Sequence, residues 1–153
     1  MKYSFFLLLT GLMAACGIQG ASTAAEPASS VAATVMETLP LQPGFFVSTE
    51  VACGSASNAT LILHYGRGSE GSRENCDFNR IVRTDEGRYN VTQVCRDIQS
   101  GHAETSTVDF DIKSPTAYSA VNTTYEWSHS ARHCPQSQLP EPWRSNDISD
   151  LVK

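Results

Sequence analysis

The five cysteines divide into one and four. Cys16 closes an apolar N-terminal run, while Cys53, Cys76, Cys95 and Cys134 lie in the body of the chain. An even set of body cysteines behind an export signal predicts two disulfides, and such a frame narrows the folds open to a small domain. One pairing follows from local geometry. Asp85-Glu86-Gly87 reads as a type I turn with glycine in the left-handed position, joining strands at 77–84 and 88–96. That turn sets Cys76 opposite Cys95 within about one residue, where α-carbons approach the roughly 5.5 Å that a disulfide needs. Cys53 and Cys134 then pair by elimination.

Strand signals recur through the body, at 45–51, 60–65, 77–84, 88–96, 105–113 and 118–127. In 105–113, Val108, Phe110 and Ile112 take one face and Asp109 and Asp111 the other. In 118–127, Val121, Tyr125 and Trp127 alternate with Asn122, Thr124 and Glu126. No amphipathic helix is predicted. The expectation is an all-β domain: an antiparallel meander of about six strands forming a sandwich or partly closed barrel, with two disulfides. Residues 66–73, rich in Gly and Ser, read as a flexible loop. Residues 138–143 read as an extended strap, because each proline biases its predecessor away from helix.

The apolar run at 5–15 has the form of a secretory signal and is shorter than the about 20 residues a bilayer span requires. Leu12-Met13-Ala14-Ala15 before Cys16 resembles a bacterial lipobox, with Met13 where Leu is usual. The resemblance implies cleavage before Cys16 and lipidation of its thiol, and Gly17 after it fits delivery to the outer membrane. Cleavage after Ala24 or Ala25 is the other reading, and it would release a soluble periplasmic or secreted protein. Residues 1–15 are thus read as signal peptide and 39–153 as one disulfide-bonded β domain. Residues 16–38, rich in Ala, Ser and Thr and without an aromatic residue, are read as a flexible tether between them. The order of features in the domain also resembles a family of small exported proteobacterial β domains of unknown function. The matching stretches are Leu41-Gln42-Pro43-Gly44-Phe45-Phe46, the Cys76 to Cys95 hairpin and Ala131-Arg132-His133-Cys134, with Phe46 where that family has Trp. The resemblance implies a periplasmic β domain with a hairpin disulfide, and no activity.

A net charge of −5 with scattered Arg residues disfavours nucleic acid, whose phosphates call for a Lys/Arg surplus. Membrane contact is expected only through an N-terminal lipid. No Gly-x-Ser-x-Gly elbow is present, and Asp109 and Asp111 read as the solvated side of a strand, so neither an enzyme nor a cofactor is predicted. His129 and His133 adjoin Cys134 but lack a third ligand, so no metal centre is expected. His64 and His102 read as surface or satisfied polar residues. Tyr125, Trp127 and Trp143 could form a binding face for a peptide or glycan. The plainer reading has Trp127 in the core and Trp143 pinning the tail over one end of the barrel. The function expected is that of an envelope protein acting by binding, its partner an envelope protein, peptidoglycan or a small ligand. Two alternatives are an inhibitor or immunity protein that plugs a lysozyme or protease with the loop around Gly68 and Ser69, and a small-ligand-binding β barrel.

Overall fold

A computed structural model of the chain describes residues 33–152. The signal segment, Cys16 and residues 17–32 of the expected tether lie outside the described residues. The strands are β1 (Thr34–Met36), β2 (Gly44–Ser48), β3 (Leu61–His64), β4 (Gly68–Glu70), β5 (Glu74–Asp85), β6 (Arg88–Asp97), β7 (Ala103–Ser114), β8 (Ala117–Asn122) and β9 (Trp127–His133). From β2 onward each strand pairs antiparallel with the next, and β9 returns to pair with β2. The result is an eight-stranded up-and-down barrel, closed by Phe46 opposite His133 and Ser48 opposite Ala131. Closure satisfies the backbone donors and acceptors that an open sheet would leave at its edges. β1 is additional to the ring. It pairs with Ile81–Arg83 of β5, further along the edge where β4 pairs with 75–77, so ordered structure starts before residue 39.

The all-β meander with two disulfides is as expected, with more strands and full closure. Two stretches account for the difference. The glycine-rich 66–73 is not a loop throughout, since Gly68–Glu70 bridges β3 and β5 as a strand of the wall. The stretch 118–127 is not one strand. Asn122 Oδ1 accepts the backbone N–H groups of Thr124 (3.0 Å) and Tyr125 (3.1 Å), and the chain reverses there into β9. Of the alternating residues the polar one faces inward, with Val121 43% exposed and Asn122 1% exposed, because polar residues line part of this barrel's interior.

The Asp85-Glu86-Gly87 turn has Gly87 at φ 68° and puts Cys76 directly opposite Cys95, with α-carbons 4.0 Å apart in the disulfide. Cys53 and Cys134 form the second disulfide, with α-carbons 5.8 Å apart. One end of the barrel is closed by Leu39 and Leu41, which pack into the inner core with Phe46, Ile81, Val91 and Ile112. The outward faces of β2 and β3 (Phe45, Val47, Leu61, Leu63) are covered by the segment around the Cys53–Cys134 disulfide and by the C-terminal tail. That tail is a series of turns rather than an extended strap, with Arg144 N–H bonded to the Pro140 carbonyl and Ser145 N–H to that of Pro142. Its Trp143 packs on the side wall, not over a barrel end.

Candidate functional site

An eight-stranded barrel has an interior just wide enough to be filled by side chains or to hold one small ligand. Here the lower part is filled and the upper part is open. On the floor, Phe46, His64 and Tyr118 meet with ring centroids 5.1–5.4 Å apart, and Phe110 lies 5.4 Å from Tyr118. Above them is a lumen of about 190 Å³, walled by Ile62, Val108, Phe110, Tyr118, His64 and His129. It opens into a mouth of about 300 Å³ at the end where β4 joins β5, β6 joins β7 and β8 joins β9. Glu74, Gln93 and Trp127 line both spaces.

A hydrogen-bonded relay crosses the lumen. The Tyr118 hydroxyl lies 2.9 Å from His64 Nε2 and 2.9 Å from His129 Nε2. A hydroxyl has one proton, so Tyr118 donates to one imidazole and accepts from the other, and the two rings hold opposite tautomers. Burial, with a smaller contribution from His129, pushes the His64 pKa down to about 3, and burial also lowers His129 and raises Tyr118. The relay is therefore neutral at ordinary pH. Above it, Trp127 packs on His129 with centroids 5.5 Å apart, completing a column from mouth to floor.

The mouth has a different character. Glu104 accepts a hydrogen bond from the Tyr125 hydroxyl (2.8 Å) and pairs with His102 (3.2 Å). Asp97 Oδ1 accepts from the N–H groups of Ser100 (2.7 Å) and Gln99 (3.0 Å) and from the Ser100 hydroxyl, and these bonds hold its carboxyl below the usual range. Glu74 brings its carboxylate within 4.8 Å of both sulfurs of the Cys76–Cys95 disulfide. That trio is not a metal centre in the oxidised protein, because the ligating form of cysteine is the thiolate.

The residues singled out in the sequence are dispersed by this geometry. Tyr125 and Trp127 share the mouth, whereas Trp143 lies on the outer wall with Ile148 and Val152, so the three aromatics form no common face. Ser69 lines the lumen from β4. Gly68 is buried in the same strand, where a Cβ would meet the Tyr65 hydroxyl and the Cys76 carbonyl. His129 enters the relay, while His133 packs against Phe46 and over Gly44. His64 is a satisfied polar residue, the buried end of the relay, and His102 is at the rim. Sequence reading missed Glu74, Gln93, Tyr118 and the convergence of His64 with His129. A signal was present. Gln93, Ser106 and Asn122 continue the inward alternation of their strands at the mouth end, where an apolar core would have placed hydrophobes. No protein-family model, curated protein or solved structure matches the chain.

The two disulfides fit an oxidising compartment, extracellular or periplasmic. No helix among the described residues is long and apolar enough to cross a membrane.

Proposed function

We propose that this domain is a small-ligand-binding barrel that works by binding rather than catalysis, exported through its N-terminal signal and held at the cell envelope by a lipid on Cys16. The observation that carries the reading is the lumen: an open space of about 190 Å³ inside a closed barrel, continuous with a mouth and ending on the neutral Tyr118 relay. Ligand sites are concave, mostly apolar and fitted with a few converging polar groups, and this lumen has that composition. Its hydrogen-bonding floor can adapt, because reversing the Tyr118 hydroxyl exchanges the two tautomers and changes which imidazole offers a proton.

The test is to purify the full chain from its host envelope without denaturation and identify small molecules released from it by mass spectrometry. A ligand present at a fixed ratio, and lost from Val108→Phe and Ser106→Trp variants that still unfold cooperatively, is the expected result. Equal retention by folded, lumen-filled variants would contradict the reading.

A further inference from the structure

Charge at the mouth selects among ligands. Among the described residues, the side chains lining it include the carboxylates of Glu74, Asp97 and Glu104 and no Lys or Arg. Two of the three are engaged: Asp97 holds its own loop, and Glu104 is bonded to Tyr125 and His102. Among the described residues Glu74 makes no side-chain hydrogen bond, and it lines both mouth and lumen. A second observation at their junction is independent of the acidic cluster. Gln93 is only 7% exposed and lines both spaces; its Nε2 donates to Ser106 Oγ (3.3 Å), while its Oε1 accepts nothing. Among the described residues no fully buried side-chain oxygen lacks a partner, so that carbonyl opens onto the cavity. An unpartnered amide oxygen, a carboxylate and the exposed indole of Trp127 thus line both the mouth and the lumen. All three favour a cation: the first two as acceptors, the third through its π face. Below these groups the lumen is uncharged and walled by Ile62, Val108 and Phe110, where an ion would lose its hydration without compensation.

Resting on the lumen reading above, we infer that the ligand is a small organic cation, a protonated amine with an apolar, ring-sized body. The body enters the lumen and the ammonium stays at the junction, between Glu74, Gln93 Oε1 and the Trp127 ring. Anionic amphiphiles such as fatty acids meet three carboxylates at the mouth, where the neighbouring Arg73 already faces Asp97.

The matched probes are 2-phenylethylamine, 2-phenylethanol and 3-phenylpropanoate, titrated at pH 7 into the full chain carrying Trp143→Phe, so that fluorescence reports Trp127 alone. The amine should saturate the signal, the alcohol should bind about tenfold more weakly, and the carboxylate should not saturate. Glu74→Gln should weaken the amine about fivefold and leave the alcohol unchanged. Added salt should weaken the amine only. If the alcohol or the carboxylate binds as tightly as the amine, or Glu74→Gln leaves the amine unaffected, the cation assignment falls while the lumen remains a ligand site. If none of the three saturates Trp127, both readings fall.

Discussion

His64 shows how much one buried side chain can decide. It is 3% exposed, bonded to Tyr118 and surrounded by the rings of Phe46, Phe78, Phe110 and Tyr118, so protonation there has no charged partner to offset lost hydration. Its pKa of about 3 in the folded state lies below the ordinary 6.5. Above pH 6.5 both the folded and the unfolded chain carry it neutral, and it has no effect on the pH dependence of stability. As pH falls below 6.5 the unfolded chain takes up a proton that the folded chain refuses, so stability declines until about pH 3. The slope from this residue is about 1.4 kcal/mol per pH unit, and His129, also lowered, adds in the same direction. Urea midpoints at pH 7, 6 and 5 should fall progressively, and less steeply in a His64→Phe variant. Parallel curves for the two proteins would show that His64 is not neutral and buried as described.

At the scale of elements, the parts legible in the sequence were those with local causes. The β5–β6 hairpin was readable because Gly87 is required there: at φ 68°, a Cβ would sit 3.0 Å from the Ile112 carbonyl oxygen. Gly87→Ala should therefore cost about 1–2 kcal/mol, measured by chemical denaturation. An unchanged stability would mean that the turn adopts another conformation. The β7 alternation was readable for a related reason, since Val108, Phe110 and Ile112 all face the apolar part of the interior. Other elements depend on distant partners. Gly68–Glu70 becomes a strand only because β3 and β5 flank it, and a glycine is needed where Tyr65 crosses the strand. Around the end of β8, Tyr118 and Val121 before Asn122 and Thr123, Thr124 and Tyr125 after it give high strand propensity on both sides, which masks the side-chain-to-backbone turn that ends the strand. The site was the least legible part. Its residues come from every strand from β3 to β9, and nothing local announces that His64 and His129 share one hydroxyl.

For the whole molecule, the two disulfides act on different ranges of the chain. Cys76–Cys95 joins neighbours of one hairpin at a separation of 19 residues, whereas Cys53–Cys134 closes a separation of 81 and ties the β2–β3 connection to the start of the tail. On the chain-entropy model their loss should cost about 3 and about 4.5 kcal/mol respectively, so the Cys53→Ala/Cys134→Ala protein should be the less stable of the two double variants. The reverse order in denaturant midpoints would mean that the tail contributes little to holding the β2–β3 wall. The same layout supplies an internal control for function, because the two tryptophans report on separate places: Trp127 on the mouth and Trp143 on the outer wall. The most direct measurement is a two-dimensional NMR titration of the full chain with 2-phenylethylamine, following both indole N–H signals. A ligand in the lumen predicts a saturable shift of the Trp127 indole, together with the His64 and His129 ring signals, while the Trp143 indole stays in place. A shift confined to Trp143, or no saturable shift at either indole, would contradict the account.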